Sequence, residues 1–304
     1  MLRDSDNAKG TPSGSLVAIV TPMMEGGHID LPAFDRLIEW HINSGTHGIV
    51  VVGTTGESAT LSSQEHIDLI EHCVKRVAGR VPVIAGTGSN NTAEALLFTA
   101  EAKERGADAC LLVTPYYTKP SQKGLYQHFK TIAEGVDIPQ ILYNVPGRTM
   151  CDLSLETVDA LADIPNIVGI KDATGDKARG VELIAQCGDR LAVYCGEDAL
   201  NCDLILAGAK GAISVTANVA PAEMSRMCEL ALAGDAEGAQ KMDDALRSMH
   251  RDLFVEANPV PVKWALWQMG LIGRGIRLPL VELDEQFHVK VLDALLNAGI
   301  KVGQ

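Results

Sequence analysis

From Ser15 onward, short apolar runs alternate with amphipathic stretches eight times over, and few architectures accommodate that alternation. The runs are Leu16-Val-Ala-Ile-Val20, Ile49-Val-Val-Val52, Val81-Pro-Val-Ile-Ala85, Cys110-Leu-Leu-Val113, Gln140-Ile-Leu-Tyr143, Ile167-Val-Gly-Ile170, Leu191-Ala-Val-Tyr194 and Gly211-Ala-Ile-Ser-Val215. They are apolar at consecutive positions, the pattern of strands buried on both faces of a parallel sheet. Between them the spacing predicts helices near 31–44, 63–78, 92–105, 122–134, 154–162, 178–187, 198–207 and 221–233. In the first, Phe34, Leu37, Ile38 and Ile42 recur at helical spacing. Eight units of roughly 25 to 30 residues give a (β/α)8 barrel, with an open doubly wound sheet as the alternative. After Gly234 the pattern is helix only, around 235–256, 259–267 and 284–298, punctuated by Pro259, Pro261 and Pro279. The expected organisation is therefore a loose tail over 1–13, a catalytic barrel over 14–234, and a helical C-terminal appendage over 235–304.

Composition narrows the function classes. A net charge of −13 argues against a nucleic-acid or anionic-membrane partner, which would need a basic face. Seven scattered cysteines with no C-x-x-C pair read as buried free thiols of a reducing cytosol, and no metal-ligand spacing occurs among the eight histidines. The polar first ten residues lack a signal-peptide pattern, and no apolar run is long enough to span a bilayer, so a cytoplasmic location is expected.

In a barrel, reactive groups gather at the carboxyl ends of the strands. Strand 2 ends in Gly53-Thr-Thr-Gly-Glu-Ser58, whose glycines and hydroxyls suit an anion nest. It has neither the lysine of a P-loop nor a nucleophile elbow. Strand 3 ends in Gly86-Thr-Gly-Ser-Asn90, strand 4 in Thr114-Pro-Tyr-Tyr117, strand 5 in Tyr143-Asn-Val-Pro-Gly-Arg148, strand 7 in Gly196-Glu197 and strand 8 near Ile213-Ser214. Strand 6 delivers Lys171. Alone, such a lysine could simply mark the exit of a strand into solvent. Three tyrosines, a threonine pair, an arginine and a lysine converging on one rim favour a site. A desolvated lysine amine forms imines with carbonyl compounds, and phenol and hydroxyl groups can move protons. The chemistry expected is that of an imine-forming lyase or aldolase, needing no cofactor and no metal.

Gly53-Thr-Thr-Gly-Glu-Ser58, Tyr143-Asn-Val-Pro-Gly-Arg-Thr149 and Gly169-Ile-Lys-Asp-Ala-Thr-Gly175 resemble signatures of the pyruvate-dependent class I aldolase superfamily, and within it the dihydrodipicolinate synthase family. The likeness runs from about Gly14 to the end and includes Val255-Glu-Ala-Asn-Pro-Val-Pro-Val-Lys-Trp264. It implies that Lys171 forms a Schiff base with pyruvate. Tyr143 passes protons to and from the imine, in a relay completed by Thr54 and by Tyr117 from a neighbouring subunit. Thr55, Gly196 and the main chain at Ile213 hold pyruvate, and Arg148 binds the carboxylate of aspartate 4-semialdehyde. It further implies a homotetramer built as a dimer of dimers. Asp172 stands where many relatives carry glutamate. A sugar-acid or N-acetylneuraminate aldolase on the same scaffold is the alternative, and Arg148 with Thr54-Thr55 argues against it. A catalytically dead relative acting as a sensor is disfavoured because Lys171 and Tyr143 are both present.

In feedback-regulated relatives the end product, L-lysine, binds at the tight-dimer interface. The matching positions here are Ser58, Ala59, His66, Asn90, Glu94 and Tyr116, with Ser63 where some sensitive relatives have histidine. Glu94 suits an ammonium group, and Asn90 and Tyr116 suit a carboxylate. An ordinary polar interface is the alternative reading of these six.

Overall fold

The computed structural model describes residues 11–303. Eight parallel strands close into a barrel in chain order: β1 (Gly14–Ala18), β2 (Gly48–Val51), β3 (Val83–Gly86), β4 (Ala109–Val113), β5 (Gln140–Asn144), β6 (Ile167–Asp172), β7 (Ala192–Cys195) and β8 (Gly211–Ser214). Around it run α1 (Leu31–Asn43), α2 (Ser63–Val77), α3 (Thr92–Glu104), α4 (Gln122–Gly135), a one-turn α5 (Pro146–Thr149), α6 (Leu155–Ala162), α7 (Lys177–Cys187), α8 (Asn201–Leu206) and α9 (Pro221–Leu232). Then come α10 (Ala236–Asp252), α11 (Val260–Gln268) and α12 (His288–Asn297). The closed barrel excludes the open sheet. Among the described residues no helix is long and apolar enough to cross a membrane.

The apolar runs have a simple cause. Leu16, Ala18, Val50, Ile84, Leu111, Ile141, Ala192 and Ile213 fill the barrel interior. Their strand neighbours Val17, Ile49, Val51, Val83, Leu112, Leu142 and Val193 pack outward against the helices. Each strand is thus buried on both faces, and the period of two is invisible in its hydrophobicity. The outward layer also takes in all seven cysteines, each free and buried. Burial pushes the Cys73 and Cys110 thiols up to about 12.

β6 carries one irregularity. Gln140 pairs with Ile167 but the next residue, Ile141, pairs with Gly169, so Val168 is an extra residue on β6. Ile167 and Ile170 face the helices, whereas Val168 faces the interior. Beyond the shift, Lys171 pairs with Tyr143 on one side and Tyr194 on the other, both interior residues. The shift therefore sets the phase in which Lys171 points inward.

The expected tail differs from the structure at its inner end. Residues 1–10 lie outside the described residues. Thr11 and Pro12 are buried, and the Pro12 carbonyl accepts a 2.6 Å hydrogen bond from the Tyr194 hydroxyl. Tyr194 is fully enclosed, so its phenol needs a partner, and burial raises its pKa further. That partner fixes the chain just before β1.

The C-terminal helices are joined to the barrel by packing and by charge. α10 lies against α9 and α12, and α11 is buried from Val260 to Leu266. Lys263 of α11 ion-pairs with Glu57, in the loop after β2, and both side chains are almost fully enclosed. Desolvation lowers the Lys263 pKa despite that partner. The Arg277 main-chain N–H donates to the other Glu57 oxygen at 3.2 Å. The Arg277 guanidinium donates to both carboxylate oxygens of Glu65 in α2, at 2.8 and 2.6 Å.

Two outcomes follow from this charge chain. Lys263→Met leaves Glu57 buried without its cation, and loss of one partner of such a pair costs about 3–5 kcal/mol. Urea denaturation should read that loss, and Glu57→Gln/Lys263→Met should recover most of it. Glu65 has its pKa lowered from 4.5 to about 2, chiefly by the Arg277 hydrogen bonds. Its contribution to stability is full above pH 4.5 and fades as the pH falls toward about 2. Glu65→Gln should be less stable than the parent at pH 7, and the gap should narrow in denaturation series run toward pH 3.

Candidate active site

The ends of β5, β6 and β7 set the centre. Lys171 is 5% exposed, and its Nζ lies 4.4 Å from the centroid of the Tyr143 ring. That face carries the negative side of the ring quadrupole and suits a cationic or strongly polarised amine. Gly196 closes the other side: a Cβ there would stand 2.7 Å from Lys171 Cε and 2.8 Å from Ala173 Cβ. Only glycine leaves room for the lysine stem at this point. Ile213 is buried on β8 across the same interior.

Behind Lys171, a polar brace fixes the end of β6. Asp172 is buried, and it accepts from the Thr174 hydroxyl at 2.6 Å, the Arg179 Nε at 3.1 Å and the Asn144 amide at 3.3 Å. Arg179 also donates to the Leu153 carbonyl at 2.6 Å, and the Leu153 N–H donates to Asn144 Oδ1 at 3.0 Å. Asn144 and Arg179 were not singled out in the sequence, and Asp172 appeared there only as a departure from relatives. The adjacency of the two charged residues on one strand was the signal available, since consecutive strand residues face opposite sides and Asp172 therefore lies on the face opposite Lys171.

The loop after β2 lies over the interior. Thr55 is buried, and its Oγ1 accepts a 2.9 Å hydrogen bond from the Asn258 amide. The Gly56 carbonyl accepts from the Thr21 hydroxyl at 2.7 Å. Glu57, at φ 58°, takes a left-handed conformation that few residues of its type adopt, held by its buried charge pairing. Arg148 lies in α5, exposed, with Nη2 donating to the Asn258 main-chain carbonyl at 3.1 Å. Neither α5 nor the role of Asn258 as a common partner was read from the sequence.

A cavity of about 660 Å³ opens beside this centre. Thr54 and Arg148 line it, and so do Ser58, Ala59, His66, Glu94 and Tyr116; Lys171, Tyr143, Thr55, Asn90 and Tyr117 are not in its lining. Glu94 and His66, both in that lining, already have partners. Glu94 accepts from the Ser89 hydroxyl, and His66 donates from Nε2 to the Gly86 carbonyl at 2.7 Å while stacking on Phe98. Burial lowers the His66 pKa and favours the neutral ring. Tyr117 is 87% exposed and sits at φ 72°, well away from the interior of its own barrel.

Comparison with known proteins gives a consistent result. The model of the dihydrodipicolinate synthetase family matches residues 11–298. A 4-hydroxy-tetrahydrodipicolinate synthase from Marinobacter nauticus is 62% identical over 289 residues, 95% of this chain and 99% of its own length. A crystal structure of a chloride-inhibited dihydrodipicolinate synthase from Acinetobacter baumannii, complexed with pyruvate, superposes with a TM-score of 0.95 at 55% identity, covering 96% of this chain and 100% of that one. A dihydrodipicolinate synthase from Cyanidioschyzon merolae with lysine bound gives a TM-score of 0.91 at 36% identity, over 95% of this chain and 99% of that one. With its barrel, its rim chemistry and the match over nearly its whole length, the chain belongs to the dihydrodipicolinate synthetase family.

Proposed function

We propose that the chain condenses pyruvate with L-aspartate 4-semialdehyde to 4-hydroxy-tetrahydrodipicolinate, the activity that names its relatives, with Lys171 as the imine-forming residue. The observation that carries this reading is the enclosed Lys171 amine against the Tyr143 ring, with Gly196 leaving it space. The amine adds to the ketone carbon of pyruvate, and water leaves as the imine forms. Loss of a methyl proton gives the enamine, whose carbon attacks the aldehyde of the second substrate. The amine of that substrate then adds to the imine carbon, and Lys171 departs as the ring closes.

Each neighbouring group has a task. Tyr143 accepts and returns protons at the imine, and Thr54 connects it to the cavity. Thr55 and the main chain near Gly196 and Ile213 hold the pyruvate carboxylate. Arg148, at the mouth, pairs with the carboxylate of the semialdehyde. A chain with net charge −13 repels both anions at a distance, so these local donors must do the holding. The barrel over 14–234 carries the reaction, and the appendage over 235–304 supports it through α11. We place the enzyme in the cytoplasm, as a tetramer of two dimers. Tyr117 completes the relay of a second copy; its exposure and left-handed backbone support that role. L-lysine, seen bound in a relative, is proposed as an inhibitor at Ser58, Ala59, His66, Asn90, Glu94 and Tyr116. Tyr116 lies next to Tyr117, a short route from that site to the relay.

Four experiments test these assignments. Borohydride added with pyruvate should trap a pyruvyl adduct on Lys171, read by peptide mass spectrometry and absent in a folded Lys171→Ala variant. Arg148→Ala should keep the adduct while condensation falls, since the carboxylate of the semialdehyde loses its guanidinium partner and pyruvate does not. An adduct on another lysine would refute the assignment, and equal loss of both steps would return the sugar-acid aldolase reading. Mixing inactive Tyr117→Phe and Lys171→Ala protomers should restore part of the activity through hybrid dimers, whereas a fully active monomer on a sizing column would exclude the shared relay. Lysine should inhibit partially, and Glu94→Ala should weaken that inhibition with basal turnover kept; calorimetry without binding at millimolar lysine would leave those residues to subunit packing.

A further inference from the structure

We infer that Asn258, just ahead of α11, is a positioning residue that sets the donor direction of Thr55 and ties it to Arg148; the inference rests on the reading of Lys171, Thr55 and Arg148 given above. Asn258 is enclosed, and it bonds to both halves of the site through different atoms. Its side-chain amide donates to Thr55 Oγ1 at 2.9 Å, and its main-chain carbonyl accepts from Arg148 Nη2 at 3.1 Å. These contacts join residues 203 and 110 positions away in the chain.

The side-chain contact has a chemical consequence. A hydroxyl has one hydrogen and two lone pairs. When one lone pair of Thr55 receives the amide N–H, its hydrogen is directed elsewhere and is free for an acceptor. A substrate carboxylate only accepts, so a hydroxyl held in this sense suits it. The reversed amide would capture the Thr55 hydrogen and present an oxygen to the anion, which is the wrong polarity. The main-chain contact uses one of the five guanidinium donors of Arg148 and leaves the others for the second carboxylate. Asn258 Oδ1 is buried with no protein partner, so the amide is not held by a competing acceptor interaction. Five residues further on, Lys263 grips Glu57, two residues past Thr55. The same two segments are thus joined twice, once by charge and once by the amide, which limits their relative sliding.

The test separates the two arms of Asn258. Asn258→Leu keeps the volume and the main-chain carbonyl but removes the amide. We expect the KM for pyruvate to rise about 3- to 10-fold, the range for one lost hydrogen bond. The rate of borohydride-trapped adduct at low pyruvate should fall by the same factor, and the KM for the semialdehyde should stay within about twofold, because its arm runs through the retained carbonyl. In a Thr55→Val background, Asn258→Leu should add nothing, since the partner it acts through is gone. Asn258→Asp, which offers acceptors only, should bind pyruvate less well than Asn258→Leu. Thermal melts accompany each variant, and Asn258→Ser replaces Asn258→Leu should the latter not fold. Equal rises in both KM values, an undiminished effect in Thr55→Val, or wild-type behaviour of Asn258→Asp each overturns the inference. A wild-type adduct on Lys171 with unchanged Asn258→Leu kinetics overturns the inference alone. No wild-type adduct overturns the underlying active-site reading and the inference with it.

Discussion

The site depends on keeping one lysine side chain inside a closed, tightly packed barrel. A charged amine leaves water only at a cost, and an interior built of Leu, Val and Ile offers it little in return. The chain meets that constraint with a few placed groups. The face of Tyr143 covers the amine, the missing Cβ of Gly196 accommodates the stem, and the Asp172 brace holds the strand end without touching the interior. Asp172 is itself buried and anionic, and Arg179 compensates it on the helix side. The cation and the anion that follow one another in sequence therefore belong to different layers of the fold and take different partners.

The barrel was legible because its physics repeats. Every strand must be buried twice, so eight apolar runs with helical stretches between them leave few other solutions. The failures have local causes. β1 begins at Gly14 and Ser15, which lack strand propensity but pair with Gly211 and Ala212 across the closing seam. Ile19 and Val20 extend the apolar run but lie beyond the strand. The one-turn helix Pro146–Thr149 is too short to give a periodic signal. Lys171, Tyr143 and Arg148 stood out because reactive residue types converge there on one rim, at or just after the carboxyl ends of strands. Asn258 did not, because an asparagine ahead of a proline reads as a turn, and nothing local says that its amide meets Thr55. The Glu57–Lys263 pair was hidden for the same reason: sequence gives the charges, and only the fold says which acid meets which base.

Charge in this protein works at two ranges. Over long distances the acidic surplus disfavours small anions. Over a few ångströms, the side chains of Arg148 and Lys171 bring the opposite sign to the rim. The helical appendage takes part in this reversal, since Lys263 and Arg277 neutralise Glu57 and Glu65 next to the loop that would receive an anion. Without them, two carboxylates would stand against the nest. The C-terminal helices are thus an electrostatic part of the barrel rim as well as a packing layer over it.

The extra residue in β6 gives the active site an arithmetic property. Side chains in a strand alternate sides, so a residue's side depends on the parity of its distance from a fixed neighbour. Ile167 faces the helices, and four regular steps would leave Lys171 facing them too. Val168 makes that distance count as odd, and the lysine turns to the centre. Whether this lysine enters the barrel interior is consequently decided by counting rather than by identity alone. A lineage that gained or lost one residue within this strand would keep its lysine, its motif and its fold, and would send the amine into the hydrophobic layer between barrel and helices.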